Sequence, residues 1–342
     1  MISVGGLARY IVTRLAVTVP MILFLLTFVF FLLRIMPGDP VLAMLGGRNI
    51  SPQLIEEYRA RLGLNKPLLA QYLEYLSKIL HGDFGTSTRT GKKILEDILL
   101  RFPATLELAI FGMLVAILIG LWSGTYAAIH SDRPADHAIR IFNIGSFAIP
   151  VFWIGLVLQL IFGVWLKWFP VAGRLDPKIA ASFQPITRFY ILDSLIMKDP
   201  QLLADILKHL AMPSFTLGLV LSGLIGRISR SSMLEVIDKE YVTTARSKGL
   251  TEPKVNYKHA LRNALIPIVT VMGLQFAILM GGAILTETTF SWPGLARYLV
   301  QSVDSRDYMA IQGAVVWIAI LISTVSLIID IIYSFLDPRV RY

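Results

Sequence analysis

Asp238–Pro267 reads DKEYVTTARSKGLTEPKVNYKHALRNALIP, and the fold of the whole chain turns on how it is understood. The stretch is basic and helix-prone, with Gly249 and Pro253 near its middle. It lies between two apolar segments, Leu210–Gly226 and Asn263–Thr286, each near the length a helix needs to cross hydrocarbon. A membrane protein whose chemistry runs inside the bilayer has little need of such an insert. One that is driven by something docked outside the bilayer does need it. Glu240–Leu261 therefore reads as a handle gripped by a soluble motor.

The surrounding composition supports a membrane setting. Of 342 residues, 55% are hydrophobic and only 16% charged, with a mean hydropathy of +0.65. The absence of cysteine excludes disulfide frameworks, thiolate zinc sites and cysteine nucleophiles. The net charge of +9 sits in loops beside apolar segments, where lipid headgroups and topology explain it better than nucleic acid does. Six stretches lack Asp, Glu, Lys and Arg: Leu15–Leu33, Leu108–Ile129, Ile141–Leu166, Leu210–Gly226, Asn263–Thr286 and Tyr308–Ile329. They predict an all-α integral membrane protein with six spans, at 15–36, 105–129, 141–166, 210–228, 263–286 and 308–330. The first run is too long for a cleaved signal peptide and has no small-x-small site after it.

With the insert at 229–262 placed in the cytoplasm, the N-terminus 1–14, the loop 130–140 and the tail 331–342 fall on the same side. The regions 37–104, 167–209 and 287–307 fall outside, in agreement with a moderate excess of Lys and Arg within. The outer region carries two short helix patterns. Ser51 and Pro52 are suited to open the first, and Leu68–Leu80 forms the second. Gly85…Gly91-Lys92-Lys93 is not a phosphate loop, because its glycine spacing is wrong and Lys93 stands where a magnesium-binding hydroxyl belongs. Pro37 and Gly38 are expected to end the first span, Pro103 to precede the second and Pro213 to fall in the first turn of the fourth. Arg34 reads as a snorkelling anchor. Glu107 reads as a carboxylate at a helix N-terminus, favoured by the macrodipole. Gly120 and Gly124, four apart, permit close helix approach.

Inside the insert, Asp238–Lys248 and Pro253–Arg262 are predicted as two short helices around a turn at Gly249. Tyr241, Val242, Ala245 and Leu250 give one apolar edge beside Arg246 and Lys248. Such a helix suits a groove in a soluble partner, and equally a lipid surface.

At this point the residues resemble a known family. Ala245-Arg246-Ser247-Lys248-Gly249-Leu250, followed by His259-Ala260-Leu261-Arg262-Asn263-Ala264 and Pro267, is similar to the EAA loop of binding-protein-dependent ABC permeases in their dipeptide/oligopeptide/nickel branch. Leu32-Leu33-Arg34-Ile35-Met36-Pro37-Gly38-Asp39-Pro40, Gly82-Asp83-Phe84-Gly85, Phe290-Ser291-Trp292-Pro293-Gly294-Leu295 and Leu336-Asp337-Pro338-Arg339-Val340-Arg341-Tyr342 resemble further signatures of that branch, in the right order. Thr243-Thr244-Ala245 departs from the generic Glu-Ala-Ala, so no carboxylate is expected at Thr243. The long loop after the first span is similar to that of the B-type subunit.

The resemblance implies the type I importer permease fold, with external loop helices and a cytoplasmic coupling helix. It implies a non-catalytic subunit of the inner membrane that passes di- or oligopeptides by alternating access, with both termini cytoplasmic. The implied partners are a C-type permease, two ATP-binding subunits and an extracellular solute-binding protein. ATP and magnesium belong to the ATP-binding subunits, and this chain is expected to bind no cofactor, metal or nucleic acid. Docking to the ATPases is expected at Tyr241, Ala245, Arg246, Lys248, Gly249, Leu250 and Pro253, and pathway contacts at Gln159, Ser222 and Gln275.

Nickel chelates and oligosaccharides are carried on similar scaffolds and remain alternatives. A secondary transporter is disfavoured because the chain has no convincing inverted repeat and its charges cluster at span ends. A membrane-embedded enzyme is disfavoured because the five His residues are scattered.

Overall fold

Hydrocarbon offers a backbone no partner but itself, so apolar runs of this length become helices. The computed structural model describes residues 4–35, 41–42, 51–61, 63–281 and 283–336. Among them the one β contact is an isolated antiparallel bridge between Thr86 and Lys93. The expected stop at Pro37-Gly38 and the terminal signature beyond Leu336 lie outside the described residues.

The elements are α1 (Val4–Ile35), α2 (Pro52–Arg61), α3 (Leu68–Leu80), α4 (Ile94–Ile129), α5 (Pro134–Ala148) and α6 (Val151–Leu158), which continues as a π-helical stretch over Gln159–Trp165. Then follow α7 (Pro177–Ser182), α8 (Tyr190–Ile196), α9 (Pro200–Ile237) and α10 (Glu240–Ser247). The chain closes with α11 (Glu252–Met280, π-helical over Val255–Ala260), α12 (Ile284–Thr289), α13 (Leu295–Asp304) and α14 (Tyr308–Leu336). Four of these, α4, α9, α11 and α14, are long and apolar enough to cross a bilayer. The pair α5–α6 makes a fifth, bent by 99°, and α1 carries a shorter apolar stretch, Ala16–Leu32.

Several boundaries differ from the sequence expectation, for one physical reason. Charges mark where hydrocarbon ends, not where a helix ends, and a helix continues into water wherever its ends are capped or packed. Thus α4 starts at Ile94, inside the region 37–104 assigned to the exterior, and runs through Pro103. α9 spans Pro200–Ile237, so Pro213 lies within it rather than in its first turn. Its true start is capped by the Asp199 carboxylate, which accepts the N–H groups of Gln201 and Leu202, each at 3.0 Å. The loop 130–140 shrinks to a turn, because α5 begins at Pro134. The loop 167–209 contains α7, α8 and the first turns of α9. Residues 229–237 of the insert extend α9, while 252–262 are the start of α11. The span expected at 263–286 ends at Met280, with Gly281 as its cap, and α12 is separate. α1 and α14 also outrun their apolar stretches.

The third span, expected over 141–166 with a break at Ile149-Pro150, is broken there. Ile149 is extended, as a residue before proline tends to be, and Pro150 brings no N–H to a helical ladder. The chain therefore turns sharply between α5 and α6.

α4 and α9 form the central seam. Gly112 and Gly124 of α4 lie against Gly218 and Gly226 of α9, and Gly120 lies against Ser222 and Ile225, so the backbones approach where side chains would collide. A Cβ on Gly120 would stand 2.8 Å from both Ile225 Cβ and the Ser222 carbonyl oxygen. Since a backbone carbonyl cannot step aside, Gly120→Ala is expected to destabilise the subunit by about 1–3 kcal/mol through overpacking. A lowered thermal midpoint of the purified protein would show it.

The main apolar core is built on this seam. It draws in Met233 of α9, Val242 and Ala245 of α10, and Val255, Ala260 and Ala264 of α11. The short helix α10 thus shares one core with the long helices.

Candidate functional site

α10 is held in place by what precedes and follows it. Lys239 is extended and sets the entry, and Glu240 lies in the first turn, where the helix macrodipole favours a carboxylate. The helix stops at Lys248, and Gly249 takes φ +76°, the left-handed region that a side chain disfavours. Its N–H donates to the Arg246 carbonyl at 2.9 Å. After Leu250 and the extended Thr251, Pro253 lies in the first turn of α11. Arg246 Nε donates to Glu252 Oε1 at 3.1 Å, across the turn. Asn263 Nδ2 donates to Tyr241 Oη at 2.9 Å and ties α10 to α11.

This geometry sorts the residues expected to dock. Val242 is fully buried and Ala245 is 6% exposed, both against the chain's own core. The expectation that Ala245 presents a face to a partner is therefore corrected. An apolar position at this spacing serves an internal core as well as an external groove, and here the internal core holds it. Leu250 is half-buried and packs on the same core. The outward face consists of Tyr241, Thr244 and Lys248, with Thr243, Ser247 and Gly249 beside them, all exposed. Pro253 is exposed at the start of α11, and Arg246 is half-buried in its ion pair. Around Gly249 nothing lies within 4 Å of where a Cβ would be, so the turn presents bare backbone.

The three expected pathway residues separate likewise. Gln159 donates through Nε2 to the Val171 carbonyl at 2.6 Å and the Thr289 carbonyl at 3.0 Å. It braces the π-helical stretch after α6 against α12. Ser222 is fully buried and donates to its own helix at the Leu219 carbonyl, 2.6 Å away. It lies in the α4–α9 seam and faces no open surface of this chain. Gln275 is half-buried on α11. Arg34 donates to Gln71 Oε1 at 3.1 Å and lies over the Phe30 ring, 3.5 Å from its centre.

On the side opposite α10, the structure assembles a cluster that sequence reading missed. Glu107 is buried in mid-helix, where the macrodipole reading has no force. It accepts from Arg174 Nη2 and, at 3.0 Å, from the Ile191 N–H. Arg174 is itself buried, lies 3.5 Å from the centre of the Tyr190 ring and donates to the Arg188 carbonyl.

One turn away, Thr105 donates to Glu287 Oε1 at 2.7 Å and accepts the Leu295 N–H at 2.8 Å. Trp292, fully buried, donates through Nε1 to the Ala104 carbonyl at 2.8 Å. The segment around Phe290–Leu295 is thereby folded onto α4. Burial pushes the Glu287 carboxyl up to about 7, against the opposing pull of the Arg297 N–H and the Thr105 hydroxyl. An available sequence signal was the carboxylate just before the Phe-Ser-Trp-Pro-Gly run, though nothing local names its partner.

At the end of the molecule nearer α10, Arg230 grips Asp136 with two parallel bonds, Nε–Oδ1 at 2.6 Å and Nη2–Oδ2 at 2.7 Å. The pair fixes the start of α5 to α9.

Comparison with known proteins gives a consistent result. The family described as "Binding-protein-dependent transport system inner membrane component" matches residues 116–342, and its N-terminal companion, "Binding-prot-dependent transport system membrane comp, N-term", matches residues 7–109. The di/tripeptide transport system permease protein of Pseudomonas aeruginosa (strain UCBPP-PA14) is 40% identical over 97% of this chain and 98% of its own length. The dipeptide transport system permease protein of Escherichia coli (strain K12) is 39% identical over 98% and 99%. The glutathione transport system permease protein of Salmonella choleraesuis (strain SC-B67) is 36% identical over 98% and 99%. A crystal structure of an amino acid ABC transporter with histidines covers 78% of this chain and 98% of its own, with a TM-score of 0.44 at 15% identity, too distant to carry an argument.

Proposed function

The chain belongs to the binding-protein-dependent transport system inner membrane components, and from that premise we propose that it forms one half of the pathway of an ATP-driven importer of short peptides. It is a multi-pass permease subunit of the inner membrane. Its relatives' names speak of di- and tripeptides, dipeptides and glutathione, which favours peptides over nickel chelates or oligosaccharides. A C-type permease completes the pathway, a solute-binding protein delivers the peptide from outside, and two ATP-binding subunits hold ATP and magnesium. The basic loops beside α5 and α10 face the cytoplasm, as do both termini.

The observation that carries this reading is the two-sided construction of α10. Its inner side is part of the core of α9 and α11, while its outer side is exposed, polar and flanked by the bare turn at Gly249. A push on the outer side is delivered to two spanning helices without slack. ATP shifts the inward-open and outward-open populations only by the difference in how well the closed ATPases fit each state. Gln275 on α11 is the pathway contact that this reading retains.

Gly249→Arg tests the docking face. The subunit is expected to insert normally, while reconstituted peptide uptake falls by roughly tenfold or more, corresponding to at least about 1.4 kcal/mol of lost docking free energy. Gly249→Asn, which tolerates the left-handed turn, separates backbone strain from blocked approach and is expected to keep most uptake. Normal ATPase assembly and uptake in the arginine variant would overturn the assignment. Competition of labelled dipeptide uptake by peptides, nickel and oligosaccharides tests the substrate class.

A further inference from the structure

α3 carries an apolar stripe on its surface. Leu69, Leu73, Leu76 and Leu80 recur at steps of four, three and four, which places them on one narrow stripe of the helix. Among the described residues most of the stripe is left uncovered: Leu69 is 69% exposed, Leu73 57% and Leu80 83%, while Leu76 is half-buried. On the far side of the same helix lie Glu74 and Lys78, joined at 2.9 Å, with Lys66 on the other oxygen of Glu74 at 2.7 Å. The helix is therefore amphipathic, with its charges paired together and most of its leucines bare.

The height of the helix follows from its contacts with α1. Tyr72 Oη lies 2.6 Å from Thr27 Oγ1, and its ring packs edge-on to Phe30 and flat on Phe31. Gln71 receives the Arg34 hydrogen bond at the outer end of the same crossing. Thr27 lies five residues inside the end of the apolar stretch Ala16–Leu32, or about 7.5 Å along a helix axis. A surface-lying amphipathic helix sinks its apolar face about 5–10 Å into the boundary between headgroups and acyl chains, so the two depths agree.

The stripe also continues an existing apolar surface. On α1, Phe24, Phe28, Phe31 and Ile35 are exposed at the same four-three-four spacing, and Phe31 is the residue stacked on Tyr72. One apolar face runs from the spanning helix onto α3. We propose that the Leu69–Leu73–Leu76–Leu80 face of α3 lies in the acyl chains of the leaflet nearest residues 51–93, with Glu74 and Lys78 turned to water. It anchors this outer region to the membrane at a second point beside α1.

The chain contains no cysteine, so single spin labels can be placed without background from this subunit. The experiment places them at Leu69→Cys, Leu73→Cys, Leu80→Cys and Lys78→Cys in the complete transporter in phosphatidylcholine liposomes, with accessible cysteines of the partner subunits removed. Collision with oxygen, which partitions into hydrocarbon, is compared with collision with a water-soluble nickel chelate. Oxygen is expected to dominate at 69, 73 and 80, and the nickel chelate at 78, so the depth parameter reverses sign across the helix. Labels at the leucines that are immobile and closed to both reagents would mean a protein covers the stripe, whether the second permease or the solute-binding protein. Labels open to nickel would mean that the helix stands in water. Either result overturns the proposal, and neither depends on which substrate is carried.

Discussion

Replacing Arg174 with leucine is expected to destabilise the subunit by about 3–5 kcal/mol, the usual consequence of leaving a buried carboxylate without its cation. Glu107 and Arg174 are both buried, so water cannot take over when the guanidinium is lost. Glu107 would keep the Ile191 N–H, one donor where an ionised carboxylate accepts several. The same substitution removes the cation from the Tyr190 ring and the donor from the Arg188 carbonyl, so at Glu107 α8 is held to α4 by the Ile191 N–H alone. Thermal unfolding of the purified protein measures the effect. The double variant Glu107→Gln with Arg174→Leu should recover part of the loss, because no charge then stays buried. A double variant as unstable as the sum of the two single ones would mean that the two residues are not coupled.

Replacing Glu287 with glutamine is expected to flatten a pH dependence instead. In an unfolded chain this carboxyl ionises near its ordinary value, while in the folded protein burial pushes it up to about 7. Between those values the folded state holds a proton that the unfolded state has released. Rising pH therefore favours unfolding, and the contribution present in acid is lost as pH climbs through the folded value. A displacement of this size corresponds to about 3 kcal/mol between pH 4 and pH 8. The thermal midpoint of the native subunit should thus fall from pH 5 to pH 8, and that of the Glu287→Gln variant should not. Equal slopes would remove Glu287 as the source. An added Cβ at Gly294 would collide with the same carboxyl, so the bare backbone of this glycine is what makes room for Glu287.

Much of this architecture was legible in the chain. Four of the six charge-free runs fall largely on described helices long and apolar enough to cross a bilayer and a fifth on the bent pair α5–α6, and Gly249 marks the turn that its φ of +76° requires. Charge did not reveal how far α4 and α9 reach beyond hydrocarbon, since a capped helix ignores the bilayer edge. Nor could an eight-residue helix tell whether Val242 and Ala245 serve its own core or a partner, because the spacing is the same for both. Glu107 looked like a helix-end carboxylate because the helix was assumed to begin nearby, and its cation lies 67 residues away. Ser222 was polar at span level, and only packing shows its hydroxyl turned onto its own backbone.

The 99° turn at Ile149–Pro150 has a mechanical consequence. A continuous helix transmits torque through its ladder of hydrogen bonds, and here the ladder is cut by two extended residues. Each half has its own polar fastening, α5 through Asp136 to Arg230 of α9, and the stretch after α6 through Gln159 to the backbone of α12, while both halves also pack on α9. The joint behaves as a universal coupling between two short shafts. An angle can therefore change at the joint while the polar fastening of each half stays made.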